Sequence, residues 1–354
     1  MSAGVKRQVG FSRERERSAM RATVKDVAAL AGVSPKTVSN VINGVVFVRP
    51  ETKERVEKAL AELDYVPNLS ARGLRNGRSG VIALALPDLA TAYSAEMAHH
   101  FVDAAHDRGW GVQIEETGGR PDREEELLSK ARARLVDGLV LNPTVSDEFA
   151  LPDDPDLLPP AVLIGEVEHQ LLDRVRVDPD QAAFDMTRRL IELGHRRVAV
   201  VGAPMSTFTF TARLRAEGYR RALKEAGIPC DPALEIACDD WTPRGGAESV
   251  NAFLDRAPLP DALFCFTDSL AIGALSTLFR RGIRVPEGVA VAGFDDVAVG
   301  EYASPSLTTV SFDKRAFVDA ALDRLAERIT DRTLPVTMIT IPHRVVERES
   351  TRRR

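Results

Sequence analysis

From residue 81 onward the chain alternates short apolar runs with helix-length amphipathic segments, and this alternation constrains its fold more than any other feature. VIALAL (81–86), GVQIEE (111–116), DGLVLN (137–142), AVLIGE (161–166), RVAVVG (197–202), ALFCF (262–266) and VAVAGF (289–294) read as strands, most of them apolar enough to be buried on both faces. Helical patterns lie between them, over 95–107, 123–135, 181–192, 213–226, 245–255 and 268–281. Strands and helices in alternation build doubly wound parallel sheets. Seven strands are more than one such sheet usually needs, so two Rossmann-like α/β subdomains are expected. Ligands of such folds bind beyond the carboxyl ends of the strands, and a cleft between two subdomains is the natural site.

The whole chain has 354 residues, 44% hydrophobic and 28% charged, which matches an ordinary globular protein and excludes a fibrous or disordered one. No apolar run approaches the length of a membrane span, and the first 21 residues hold no stretch of signal-peptide length, so a cytoplasmic protein without a membrane partner is expected. The three cysteines, Cys230, Cys238 and Cys265, have no CxxC spacing, so three reduced thiols are expected, with no metal and no cofactor. The net charge of -5 conceals a division. Residues 1–80 carry 15 Lys/Arg against 8 Asp/Glu, net +7, and the remainder carries 32 against 44, net -12. A basic module is joined to an acidic body.

The basic module is helical. Residues 1–21 are charged and aperiodic and are expected to be disordered. In TVKDVAALAGVSPKTVSNVING, Thr23 can cap a helix over 25–31 with Asp26 in its first turn, and Gly32 follows where positive φ is needed. Ser34 caps a second helix whose first position is Pro35, where the missing N–H costs nothing. Two short helices joined by a glycine turn make a helix-turn-helix. Lys36, Ser39, Asn40 and Asn43 share one polar face, while Val38, Val41 and Ile42 face Val27, Ala28 and Leu30. Lys36 can donate to guanine O6/N7 and Asn40 can pair bidentately with adenine. Thr37, Ser39 and the helix N-terminus suit phosphate. A third helix over 51–63 closes the bundle with Val56, Leu60 and Leu63, and Lys53 and Arg55 are candidate phosphate contacts.

The segment YVPNLSARGLRNGRSG follows. Asn68 can cap a short helix, but Gly73 inside it makes that helix marginal in isolation. Leu69 and Leu74 among Arg72, Arg75 and Arg78 form an apolar wedge with basic flanks, the composition for insertion into a minor groove; a flexible linker is the simpler alternative.

In the body, polar residues just past strand ends are the effector-contact candidates. They are Asp88, Tyr93, Glu166, Thr211, Arg213, Arg215, Thr267, Asp268 and Asp295, with Trp241 as a stacking face.

With ATVKDVAALAGVSPKTVSNVING, YVPNLSARGLR, LIELGHRRVAVVG, RLRAEGYRRALKEAGI, VPEGVAVAGFDD, SPSLTTV and IPHRVVERES, the chain resembles the LacI/GalR family of bacterial transcriptional regulators over 22–351. That resemblance implies an all-α helix-turn-helix headpiece (22–66), a hinge (67–79) and a periplasmic-binding-protein-like core (80–354). The core's N-subdomain would cover about 80–180 and 312–342, and its C-subdomain about 181–311 and 343–354. It implies a homodimeric repressor on a near-palindromic double-stranded DNA operator, modulated by a small effector, with a sugar favoured. Pro35, Lys36 and Asn40 match base-reading positions and Leu74 the wedging leucine. The whole DNA-facing set is Thr23, Ser34, Pro35, Lys36, Thr37, Ser39, Asn40, Asn43, Ala71, Leu74 and Arg75. Arg215 and Asp295 match effector-contacting positions, and Tyr93 and Trp241 fall where the family has cleft aromatics. At Thr267-Asp268 many sugar-responsive members have Asn-Asp, so a single hydroxyl replaces an amide.

Two other functions compete. A sugar-acting enzyme lacks support, because no P-loop, GxSxG, HExxH or correctly placed GxGxxG occurs. A periplasmic-type sugar receptor would need a signal peptide and has no use for a helix-turn-helix.

Overall fold

The computed structural model describes residues 22–43, 47–65, 78–128, 135–143, 159–166, 171–204 and 210–352. They belong to two compact units, Met1–Gly77 and Arg78–Arg354.

The first unit contains α1 (Val24–Ala31), α2 (Pro35–Asn43) and α3 (Pro50–Glu62). Thr23 and Asp26 form a reciprocal capping box at the start of α1, the Thr23 N–H donating to Asp26 Oδ2 at 2.8 Å. Gly32 ends the helix at φ 64°, and the Val33 N–H returns to the Ala28 carbonyl at 3.0 Å. The Thr37 N–H donates to the Ser34 hydroxyl at 3.1 Å, capping α2. Val27, Ala28, Ala31, Val38, Val56 and Ala59 are buried together, ringed by Val33, Val41, Ile42, Leu60 and Leu63. Leu30, expected in this core, is 47% exposed because it sits on the flank of the 27/28/31 stripe.

The second unit is two doubly wound lobes. In chain order its elements are β1 (Val81–Leu86), α4 (Ala92–Asp107), β2 (Gly111–Glu116), α5 (Pro121–Leu128), β3 (Gly138–Leu141), β4 (Ala161–Ile164), β5 (Asp173–Val177), α6 (Pro179–Glu192), β6 (Val198–Ala203), α7 (Phe210–Glu225), β7 (Glu235–Ala237), α8 (Pro243–Arg256), β8 (Ala262–Cys265), α9 (Asp268–Arg280), β9 (Ala290–Phe294), α10 (Ala298–Glu301), β10 (Thr308–Phe312), α11 (Lys314–Thr330), β11 (Met338–Ile341) and β12 (His343–Val346). One sheet has the order β11-β5-β4-β3-β1-β2 and is parallel throughout. The other has the order β12-β10-β9-β8-β6-β7, with only β12 antiparallel. The chain passes between lobes three times: from β5 to α6, from β10 to α11 and from β11 to β12.

All seven expected strands are present. The additional ones are short or polar: β5 reads DRVRV, with Asp173 buried against Arg324 (2.9 Å) and Arg328 (2.8 Å), and β7 has three residues. The helix starts follow sequence rules, since Thr91, Asp178, Thr242, Thr267 and Asp313 each accept a first-turn N–H. In the second lobe α8 and α9 touch backbone to backbone. A Cβ on Gly273 would stand 2.0 Å from the Pro243 carbonyl oxygen and one on Gly246 2.4 Å from that of Leu270, so only glycine permits the approach.

Candidate functional site

The second helix of the helix-turn-helix carries most of the residues expected to face DNA. Pro35 and Lys36 are exposed, and Thr37, Ser39 and Asn40 are half-buried on the same element. Asn43 is the last residue of α2. Two hydroxyls have local work: Thr23 donates to Asp26 at 2.7 Å, and Ser34 caps α2 within 2.9 Å of the Thr37 hydroxyl. Arg55, a candidate phosphate contact, caps the C-terminus of α1, its Nε donating to the Ala31 carbonyl at 3.1 Å. Ala71, Leu74 and Arg75, with the rest of the expected hinge helix, lie outside the described residues.

The body holds a cavity of about 950 Å³ lined from both sheets. Pro87 and Asp88 follow β1, Asn142 follows β3, Glu166 follows β4, Pro204 follows β6, Thr267 follows β8 and Asp295 follows β9, so strand carboxyl ends of both sheets reach it. Asp88, Tyr93, Glu166, Thr211, Arg215, Trp241, Thr267 and Asp295 all line it.

Asp268, expected among them, does not. It is fully buried as the first residue of α9, accepting from the Val297 N–H at 2.9 Å and the Thr309 hydroxyl at 2.6 Å. Burial pushes its carboxyl up to about 7 against those two hydrogen bonds. The helix cap is Thr267, whose hydroxyl accepts from the Leu270 N–H at 3.2 Å. Asp268 ties α9 to β10 and to the loop before α10.

Arg215, on α7, is buried at the cavity wall, 4% exposed. Its guanidinium donates to Glu166 Oε1 at 3.0 Å and to the Phe266 carbonyl, and it stacks 3.5 Å from the Phe294 ring centroid. The other Glu166 oxygen accepts from the Thr211 hydroxyl. Arg213, by contrast, is exposed and stacks on Phe210.

Asp295 is 5% exposed and left-handed at φ 109°, a conformation that costs an aspartate about 1–3 kcal/mol and is retained chiefly at functional sites. Burial raises its carboxyl well above the usual range, against the pull of Arg215. Burial, then the Asp295 and Glu166 charges, raise the Tyr93 hydroxyl, so Tyr93 remains a phenol able to donate. The Trp241 indole N–H donates to the Cys238 carbonyl at 2.9 Å, fixing the ring at the cavity wall.

Sequence reasoning missed Glu116, Asn142, Asp239, Asp240, Ser269, Phe312 and Phe317 of the lining. Asn142 ends one of the expected runs and the strand-end rule reaches it; Phe317 comes from α11, whose apolar spacing went unread. A clasp behind the cavity also crosses between the lobes. Glu96 on α4 accepts from the Ala298 N–H at 2.7 Å and pairs with Lys314, which donates to the Asp296 carbonyl at 2.8 Å.

A helix-turn-helix unit followed by a two-lobed body enclosing a polar cleft defines a ligand-responsive DNA-binding regulator. Comparison with known proteins gives the family. Residues 23–68 match the model for bacterial regulatory proteins of the lacI family, and residues 187–351 match the periplasmic binding protein-like domain. The HTH-type transcriptional repressor PurR of Haemophilus influenzae (strain PittEE) is 34% identical over 88% of this chain and 92% of its own length. Among solved structures, the transcriptional regulator CelR–cellobiose complex is 32% identical over 93% of this chain and 100% of that one, with a TM-score of 0.67. The Lac repressor dimer bound to operator and an anti-inducer is 27% identical over 94% and 99%, with a TM-score of 0.78. The chain belongs to the LacI family and is a DNA-binding transcriptional repressor.

Proposed function

We propose that the chain binds a near-palindromic operator as a homodimer and that a sugar held between the two lobes modulates this binding. The observation that carries the effector half is the prearranged set of Arg215, Glu166, Asp295 and Tyr93 in one cavity with Trp241. Fixed donors and acceptors suit hydroxyls, and an indole suits the apolar face of a pyranose. The CelR–cellobiose neighbour agrees with this reading. Support for the homodimer comes from large apolar side chains left in solvent, Phe279 at 85% and Tyr302 at 82%, and from the dimeric Lac repressor. Pro35, Lys36 and Asn40 read base edges, Thr37, Ser39 and Asn43 flank them, and Ala71, Leu74 and Arg75 enter the minor groove once bound.

The experiment is selection of duplexes from a random pool by the full chain, with a thermal-shift screen of mono- and disaccharides. Two inverted half-sites are expected, and a sugar at 100 times its Kd adds about 2.7 kcal/mol of stability. Enrichment of single half-sites contradicts the homodimer, and no shift with any sugar contradicts the effector class.

A further inference from the structure

The cavity has one feature that its role as an effector site does not require: its charge is one-sided. Six described carboxylates line it (Asp88, Glu116, Glu166, Asp239, Asp240 and Asp295) against a single cation, Arg215. Arg215 is already spent, ion-paired with Glu166 and bonded to the Phe266 carbonyl. Lys314, the other cation acting on Asp295, is paired with Glu96. Three more carboxylates are held by backbone amides that fix them without neutralising them: Asp88 by the Ala90 N–H (2.8 Å), Glu116 by the Leu89 N–H (3.0 Å) and Asp240 by the Thr242 N–H (3.1 Å).

Asp295 is the second, independent indication. It is 95% buried and lines the cavity, and no hydrogen bond to its carboxyl is found among the described residues. Such a group awaits a donor from outside the protein. Helix N-termini at the wall would favour an anion, yet the hydroxyls of Thr91, Thr242 and Thr267 already occupy first-turn N–H groups of α4, α8 and α9. Segments 144–158, 167–170 and 205–209, which continue from lining residues, contain no Lys or Arg.

We infer that the cleft selects its effector by charge, taking a polyhydroxylated ligand that bears no negative group and turning away the phosphorylated and carboxylated forms of the same skeleton. This rests on the cleft being the effector site, and it adds that an anionic metabolite is not the signal. A phosphate or carboxylate entering would meet like charge, and Arg215, the one cation among the described lining residues, is already ion-paired.

Two measurements on the full chain test it. The first needs no ligand. In Trp110→Phe, Trp241 is the one remaining tryptophan, and its fluorescence is quenched with caesium or iodide at equal ionic strength, normalised to free tryptophan amide. Caesium should be about threefold more effective or better, since one-sided clefts concentrate counter-ions. The additional changes Asp239→Asn and Asp240→Asn should shrink that preference, and iodide quenching as well as caesium overturns the inference.

The second titrates glucose, glucosamine, glucose 6-phosphate and glucuronate, with cellobiose and its phosphorylated and oxidised forms, by calorimetry. For whichever skeleton binds, the anionic form should be weaker by about tenfold or more. An anionic form that binds as tightly overturns the charge selection while leaving the effector reading intact. If no skeleton binds in any form and caesium still prevails, the sugar assignment fails and the charge selection stands.

Discussion

The headpiece and the effector body handle polar groups in opposite ways. In the headpiece six small or branched side chains make the core, and Lys36 stands in solvent on the helix meant for DNA. In the body Arg215 and Asp295 are almost wholly buried, and Arg215 is bonded before any ligand arrives. The contrast follows from the partners. A duplex brings its own dense charge, so exposed cations on a rigid short helix suffice and counter-ion release supplies much of the affinity. A small effector offers few atoms, so the protein must fix each group in advance and bear the cost of burying it. The net charge divides with the task, +7 over residues 1–80 and -12 beyond.

The largest test of this contrast is Arg215→Ala. It leaves Glu166 buried without its cation, which should cost the body about 3–5 kcal/mol in a thermal melt while the headpiece transition stays in place. A melt unchanged in the body would show that the pair is not structural. Asp268→Asn comes next. The folded chain keeps the Asp268 proton to about pH 7, whereas the unfolded chain releases it near 3.8, so wild-type stability falls as pH rises through that window. An asparagine can still accept from the Val297 N–H and donate to the Thr309 oxygen. The variant should therefore lack that decline and gain on the order of 2 kcal/mol over wild type by pH 8, read from urea midpoints across pH 4–8. Parallel pH profiles would mean that Asp268 is ionised in the fold. Lys36→Ala should lose about 1–3 kcal/mol of operator binding and relax preference at one base, with the body's melt untouched. Equal weakening on all sequences would reduce Lys36 to a phosphate contact. Smallest is Thr23→Ala, which removes the capping box and should cost about 1 kcal/mol, seen as faster amide exchange over Val24–Ala31 alone.

The two regions also differ in how far their sequences could be read. Headpiece structure is written locally: Thr23, Gly32, Ser34 and Pro35 each act within four residues, so that α1 begins and ends, and α2 begins, where those residues require. The exposure of Leu30 and the bond from Arg55 to the end of α1 eluded that reading because they depend on how the helices pack. Strands β1, β3, β4, β6, β8 and β9 announce themselves as apolar runs, but β5 hides behind Asp173 and its arginines, whose partners come from α11, about 150 residues on. The cavity follows the same rule. Residues one step past a strand end were found by position, whereas Asp268 looked equivalent to Thr267 until α9 and β10 closed around it. Neighbours in sequence, one faces the cavity and the other the interior, and only long-range assembly decides which.

The central claim, that one unit of this chain reads DNA and the other carries the effector, is tested most directly by comparing selected-duplex affinity of the full chain with that of residues 78–354 at several salt concentrations. The account predicts tight, steeply salt-dependent binding by the full chain and none by the truncated one, which should still give the same effector calorimetry. Equal DNA affinity for the two chains would contradict it.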